Sequence, residues 1–314
     1  MLLFCNKCGR SPPVFFRPYS GERLCRGCFL RSVEKQVRQT VSKYRMFREQ
    51  DKIAVALSGG KDSLALLYIL HRIEKNFPKA RLFALTVDEG IPHYREEAVK
   101  NARKACEELN VEHVVVSFRE LYGFTLQTLA EKIKDIRGEM TPCSYCGVLR
   151  RRALNKVARE MGADKLATAH TLDDEVQTML LNLVHGDIRR ISRVEAVTPG
   201  AEKLVQRVKP FSEVPENEVA LYAYLKGVDF QSSICPYAPQ ALRTEVREFV
   251  NRLEARHPGS KFKLYRSFEK LKPAVKASFP SQLSQCQLCG EPASQPLCEP
   301  CRLLESLRAK FPKL

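Results

Sequence analysis

No run of eighteen apolar residues occurs in this 314-residue chain, which argues against a helical membrane span. No lipidation motif stands at either end, and no apolar signal-peptide region opens the sequence, so the expected location is the cytoplasm. Acidic residues are in deficit: 36 Asp plus Glu face 52 Lys plus Arg, a formal charge of +16. So basic a chain repels itself unless an anionic partner uses the excess. Nucleic acid is the first candidate and an acidic membrane surface the second. The remaining composition, 44% apolar and 28% charged, is that of an ordinary soluble protein. No internal repeat is visible beyond a similar cysteine-rich unit at each end.

Those units hold eight of the twelve cysteines. Cys5-x2-Cys8 and Cys25-x2-Cys28 are separated by sixteen residues, Cys286-x2-Cys289 and Cys298-x2-Cys301 by eight. Both spacings suit two knuckles closing tetrahedrally on one Zn²⁺, and the Gly and Pro that punctuate them supply tight turns that aim backbone amides at the thiolates. Disulfides are the alternative for paired CxxC units, but they belong to secreted scaffolds, which the rest of the chain does not resemble. Cys106, Cys143, Cys146 and Cys235 remain. Cys106 reads as a core residue without a role.

The positive charge is clustered, at Arg31 to Arg48, at Arg150, Arg151 and Arg152, and at Arg189, Arg190 and Arg193. Apolar periodicity predicts a basic helix from Glu34 to Arg48. Strands are expected at Ile53–Leu57, Arg81–Val87, His113–Phe118 and Lys165–Ala169. Helices are expected after Ser63 and near 96–109, 121–136, 148–161 and 173–184. This alternation predicts an α/β fold with a parallel sheet covered on both faces. Beyond Gly186 the pattern gives a basic loop at Pro199-Gly200, helices near 216–225 and 242–256 with a stop at His257-Pro258-Gly259-Ser260, and a Pro/Ser/Lys-rich linker at 272–284. The predicted organisation is a zinc finger (1–32), a connecting helix (33–50), a nucleotide-binding domain (51–212), a helical extension carrying Cys235 (213–271), and a linker with a second zinc finger (272–314).

Ser58-Gly59-Gly60-Lys61-Asp62-Ser63 falls between a strand and a helix, where bare amides and the helix dipole receive phosphate. It lacks the G-x-x-x-x-G-K-[ST] spacing of a Walker A loop. It matches instead the SGGxDS signature of the PP-loop ATP pyrophosphatases, and that resemblance implies cleavage of ATP between its α and β phosphates and transfer of AMP. The ATP-binding set it implies is Ala56, Ser58, Gly59, Gly60, Lys61, Asp62, Ser63, Val87, Ala169 and Asp174. Asp62 and Asp174 are candidates to hold Mg²⁺ or polarise the base, since hard carboxylate oxygens suit that ion; acids at a helix N-terminus also stabilise it without a ligand. His170 either orients phosphate or is structural, and His71, His93, His113, His185 and His257 have no ligand-like spacing.

Almost end to end, the chain resembles the cytoplasmic tRNA 2-thiolation proteins. The residues that carry this are the terminal knuckles, SGGKDS, Val87-Asp88-Glu89-Gly90-Ile91, Pro142-Cys143-Ser144-Tyr145-Cys146-Gly147 with the following Val148 to Arg152, Ala169 to Asp174, Cys235-Pro236-Tyr237-Ala238-Pro239, and Leu303-Leu304-Glu305. The resemblance leans to the wobble-uridine branch over the T-loop branch. Where T-loop relatives tend to place lysine, this chain has Arg150, which cannot act as a titrating base and is better suited to phosphate. The family implies an ATP-dependent tRNA uridine 2-sulfurtransferase: adenylation of the C2 oxygen, then replacement of AMP by sulfur. It also implies a [4Fe-4S] cluster on Cys143, Cys146 and Cys235 with one iron open. Persulfide chemistry on the same cysteines and zinc held by three cysteines and a histidine are the alternatives. Zinc fingers then read as shape-reading arms for folded RNA, and Arg150, Arg151, Arg152, Arg189 and Arg190 as phosphate contacts. The expected partners are tRNA, a sulfur donor (a ubiquitin-like thiocarboxylate protein or sulfide) and a second copy in a homodimer. Two rival readings are a non-catalytic zinc-finger RNA-binding subunit and a PP-loop ligase acting on a small molecule.

Overall fold

The computed structural model describes residues 4–75, 77, 79–134, 136, 140–198, 200–237, 242–279 and 284–312. Elements follow in chain order as β1 (Phe15–Arg17), β2 (Glu22–Leu24), α1 (Arg26–Lys43), β3 (Lys52–Ala56), α2 (Lys61–Glu74), β4 (Arg81–Asp88), α3 (Arg95–Leu109) and β5 (Glu112–Ser117). Then come α4 (Phe118–Tyr122), α5 (Leu126–Ile133), α6 (Pro142–Glu160), β6 (Lys165–Ala167), α7 (Leu172–Val184), α8 (Ile188–Ile191) and β7 (Gln206–Val208). The chain finishes with α9 (Glu216–Lys226), α10 (Leu242–Arg256), α11 (Ser260–Ser278), β8 (Ser284–Gln285), β9 (Pro292–Ala293) and α12 (Glu299–Lys310).

Five strands form one parallel sheet in the order β5-β4-β3-β6-β7. Their centres are apolar on both faces, as Ile53, Ala54 and Val55 of β3 and Phe83 to Val87 of β4 illustrate, because helices cover both sides. The sheet grows outward from β3 through β4 to β5, then returns to the other side of β3 with β6. That reversal opens a crevice beyond the carboxyl ends of β3 and β6, where doubly wound sheets bind ligands. The short edge strand β7 was not anticipated: three residues carry too little pattern to stand out from a loop.

One core cluster joins Phe29, Val33 and Val37 of α1, Leu64, Leu67 and Leu70 of α2, and Val219, Tyr222 and Ala223 of α9. Cys5, Cys25 and Cys28 belong to it, so the first knuckle is packed into the fold. The basic helix starts at Arg26 rather than Glu34, and Cys28 sits in its first turn. A second cluster brings Leu303 and Leu307 of α12 against Leu149 and Ala153 of α6, fixing the other knuckle in place.

The expected linker differs too. From Lys272 to Ser278 the chain continues α11 through Pro273. Lys272, 6% exposed, pairs with Glu269 one turn back, and its ammonium lies 5.9 Å from the centroid of the Tyr265 ring; tertiary packing outweighs the hydrogen bond that proline removes. Residues 280–283 of that linker, Pro199 of the expected loop, and Ala238-Pro239 of the Cys235 motif lie outside the described residues. His113 Nε2 lies 2.8 Å from Thr86 Oγ1 on the neighbouring strand.

The N-terminal unit is further tied by Arg17, 4% exposed, whose Nε and Nη2 donate to the two oxygens of Glu218 on α9 at 3.1 and 2.5 Å. Glu22 and Ser32 take its other donors. Removing Glu218 leaves the buried guanidinium with Glu22 at its half-buried edge and two donors short of an acceptor. Glu218→Ala is therefore expected to lower the free energy of urea unfolding by about 3–5 kcal/mol; a loss under about 1 kcal/mol would mean that water solvates Arg17 instead.

Candidate functional site: a nucleotide cavity beside three cysteines

A cavity of about 260 Å³ opens at the switch point. Ala56, Leu85, Val87, Leu154 and Ala169 give it apolar walls, while Ser58, Gly60, Asp62, Ser63, His170 and Asp174 supply polar groups. Of the expected ATP set, Gly59 and Lys61 do not line it. Gly59 takes φ +84° against α3, where an added Cβ would sit 2.0 Å from the Ala98 carbonyl oxygen. Only glycine allows that approach. Lys61 turns aside to Asp62 Oδ2 and Glu216 Oε1, each at 2.8 Å.

The loop is held from within. Ser63 Oγ receives the Ser58 amide at 3.1 Å, lies 3.0 Å from Ser58 Oγ and donates to the Gly60 carbonyl at 3.0 Å. Gly60 caps α2 without a side chain, so no protein oxygen competes for the first-turn amides. From β6 the chain passes to Thr171, whose hydroxyl and amide both bond Asp174 Oδ2 at 2.9 Å in a capping box.

Asp62 Oδ1 is buried with no hydrogen-bond partner. Burial pushes the Asp62 carboxyl up to about 6, with Glu216 and Asp174 adding to the rise and Lys61 opposing it. An orphaned oxygen on a carboxylate crowded by other acids fits a divalent cation, and Mg²⁺ takes such ligands. Asp174 offers its Oδ1, which Arg243 Nη1 approaches at 3.8 Å.

Residues that the sequence reading gave no role complete the wall. Glu89, 2% exposed, faces Arg95 Nε at 2.7 Å as an ion pair off the hydrogen-bonding axis, and its other oxygen lies 3.4 Å from Arg150 Nη1. Arg95 also donates to the carbonyls of Ser58 at 2.9 Å and Val87 at 2.7 Å. The motif Val87 to Ile91 held the signal for Glu89, but only as a fragment of a resemblance. Arg150 lines the cavity. Although the surrounding protein's desolvation of this half-exposed side chain opposes its charge, Glu89 and Cys146 raise its proton affinity above the ordinary value.

Arg150 lies one helical turn from Cys146 on α6, roughly 6 Å along the axis at 1.5 Å per residue. Cys143 and Cys146 occupy the first turns of this helix, which Thr141 caps and Pro142 opens. The Cys143 thiol donates to the Tyr237 carbonyl, two residues past Cys235, and Cys146, Cys235 and Tyr237 pack on one apolar cluster. Burial raises both thiols of the pair, Cys146 up to about 12 against the pull of Arg150. Among the described residues the three do not share a zinc-sized cage of sulfurs, whereas each terminal set of four cysteines does. Thiolates on separate irons of a cluster stand farther apart than four on one zinc, so the trio fits a [4Fe-4S] group better than zinc.

The terminal sets fit zinc directly. In each, all four sulfurs lie within 4.8 Å of one another. Cys8–Cys25 at 3.8 Å and Cys289–Cys298 at 3.5 Å approach the ~3.8 Å that ~2.3 Å Zn–S bonds give in a tetrahedron. Against burial, which raises them, backbone amides lower Cys5 and Cys286 to about 6. Arginine caps a thiolate in both: Arg31 reaches Cys28 Sγ and Arg152 reaches Cys301 Sγ, each at 3.2 Å. Of the remaining expected RNA contacts, Arg151 is exposed beside Arg150, Arg190 pairs with Asp187 at 2.9 Å on α8, and Arg189 covers the Phe279 ring.

His170 Nδ1 lies 2.9 Å from Thr168 Oγ1. The ring keeps an exposed face, yet desolvation by the surrounding protein, then Lys209, Arg207 and Arg150, lower its pKa to about 3. Unfolded, this imidazole takes up a proton below its ordinary value near 6.5; folded, it does not, so its contribution to stability falls as pH drops from 6.5 towards 3. Its NMR resonances should therefore stay those of neutral imidazole from pH 8 to 5. A midpoint near 6.5 would show a solvated ring instead.

Comparison with known proteins follows the same geometry. The family described as PP-loop domain matches residues 30–254, and that described as 2-thiouridine synthetase TtuA, N-terminal LIM domain, matches residues 5–30. A cytoplasmic tRNA 2-thiolation protein 1 from Chlamydomonas reinhardtii is 38% identical over 99% of this chain and 86% of its own length. The tRNA 2-thiolation protein NcsA of Haloferax volcanii is 35% identical over 97% of this chain and 99% of its own. The solved U34-tRNA thiolase NcsA from Methanococcus maripaludis with its [4Fe-4S] cluster superposes with a TM-score of 0.83 at 34% identity, covering 98% of this chain and 97% of that one. The chain belongs to the cytoplasmic tRNA 2-thiolation protein family of PP-loop enzymes.

Proposed function

We propose that this tRNA sulfurtransferase makes 2-thiouridine at the wobble position, activating the base with ATP and receiving sulfur at Cys143, Cys146 and Cys235. The observation that carries this reading is the placement of Cys143, Cys146 and Arg150 on one helix, with Arg150 in the nucleotide cavity and Cys146 a turn away.

In this reading the amides after Gly60 and the hydroxyls of Ser58 and Ser63 seat the ATP phosphates. Asp62 and Asp174 would hold Mg²⁺. The C2 oxygen of uridine attacks the α-phosphorus and pyrophosphate leaves. Arg150 bears on the negative charge that develops there, and Glu89 keeps its guanidinium aimed. Sulfide sulfur then attacks C2 and AMP departs with the original oxygen. Cys143, Cys146 and Cys235 would hold a [4Fe-4S] cluster, which would supply a site for the incoming sulfur beside the nucleotide cavity. The donor is a ubiquitin-like thiocarboxylate protein or free sulfide, and the enzyme works in the cytoplasm as a homodimer.

Two outcomes test the chemistry. AMP and pyrophosphate should form only when tRNA is present, and Asp62→Asn should slow their formation by a factor of 10² or more, about 2.7 kcal/mol of barrier. Formation at equal rate without tRNA would point to a small-molecule ligase. Anaerobic analysis should find about four irons and two zincs per chain, and the triple Cys143→Ala, Cys146→Ala, Cys235→Ala variant should lose the iron and keep the zinc. Zinc without iron after anaerobic reconstitution would replace the cluster with persulfide chemistry on the same cysteines.

A further inference from the structure

Glu216, absent from every motif, opens α9, which packs on α2. Its Oε1 receives the Lys61 ammonium at 2.8 Å, and the same ammonium donates to Asp62 Oδ2 at 2.8 Å. Asp62 Oδ1, by contrast, is buried and unpartnered. Asp62 lines the nucleotide cavity, whereas Lys61 and Glu216 do not. The ammonium therefore engages one oxygen of the carboxylate and leaves the other to the cavity.

Lys61 is the first residue of α2, where the helix dipole disfavours a cation. Two carboxylates offset that. A lysine is a point charge on a flexible stem, so with Glu216 gone its ammonium could swing across Asp62 to Oδ1, where it would repel a divalent cation. Glu216 can serve as a fixed anchor because its backbone is held separately. Its amide donates to Asp173 Oδ2 at 2.8 Å, and the other oxygen of this buried acid receives Lys261 of α11. Lys261 also donates to Asn251 of α10 at 2.8 Å. Val219, Tyr222 and Ala223 of α9 share the core cluster of α2. None of these contacts uses the Glu216 side chain, so truncating it leaves them in place.

We propose that Glu216 is a positioning residue for Asp62: by holding Lys61 on Oδ2, it keeps Oδ1 open to the Mg²⁺ of bound ATP. This rests on the ATP reading above and adds to it a residue that acts on the metal ligand from outside the cavity.

The test is binding of α,β-methylene-ATP, which lacks the scissile α–β oxygen, to the holoenzyme with and without Mg²⁺. Wild type should bind it more tightly with Mg²⁺. Glu216→Ala should cut that enhancement roughly 3- to 10-fold, the range for a partly exposed hydrogen bond between charged groups. Glu216→Gln, whose amide oxygen still accepts from Lys61, should stay within about twofold of wild type. In a Lys61→Gln background, Glu216→Ala should have no further effect, because its action passes through Lys61. Affinity without Mg²⁺ should not fall in any variant. An undiminished enhancement in Glu216→Ala would overturn the proposal. So would an equal loss in the Lys61→Gln background, or a Gln variant as weak as Ala, which would leave bare charge as the cause. A fall in Mg²⁺-free affinity would mark a damaged pocket and assign Glu216 a structural role instead. A wild type that binds the analogue no better with Mg²⁺, or not at all, would overturn the functional reading on which the proposal rests.

Discussion

The buried carboxylate of Glu89 is the constraint around which the site is assembled. With Arg95 it forms an ion pair whose guanidinium also grips the carbonyls of Ser58 and Val87, so the glycine loop after β3 and the end of β4 are locked together. Its second oxygen reaches Arg150 on α6. One acid therefore sets the positions of the loop, the neighbouring strand and the helix that carries two of the three cysteines. Burial makes the arrangement unforgiving, since either charge alone would be stranded in a low-dielectric setting.

The metal knuckles at the two ends play an architectural part in the same assembly. Cys5, Cys25 and Cys28 are core residues of the cluster that α1, α2 and α9 share, and α2 begins at the glycine loop. At the other end Arg152 meets Cys301, while Asn155 bonds Glu291 at 3.2 Å. Since Arg150, Arg152 and Asn155 are all on α6, the C-terminal knuckle and the nucleotide cavity hold two faces of one helix. A four-thiolate zinc site carries excess negative charge, which Arg31 and Arg152 offset from outside the shell.

Positive charge divides by neighbourhood more finely than by sequence. Three consecutive arginines on α6 point to three surroundings: Arg150 to the cavity, Arg151 to solvent, Arg152 to a thiolate. At about 100° per residue, consecutive helical side chains face different partners. A run of like residues in sequence is thus not one patch in space.

What the sequence determined by itself was local chemistry. Six contiguous residues specify the phosphate loop, and paired CxxC units specify their own tight turns, because glycine tolerance, thiolate spacing and strand–turn–helix order act over a few residues. The alternating α/β pattern likewise followed from periodicity along each segment. Tertiary structure alone decided which groups share a space. It set Cys235 beside a cysteine pair about ninety residues earlier, gave Glu89 its neighbours, turned Lys61 away from the cavity, and extended α11 through a proline. Each of these depends on the order in which strands add to the sheet and on what packs against each helix, and no spacing along the chain records that.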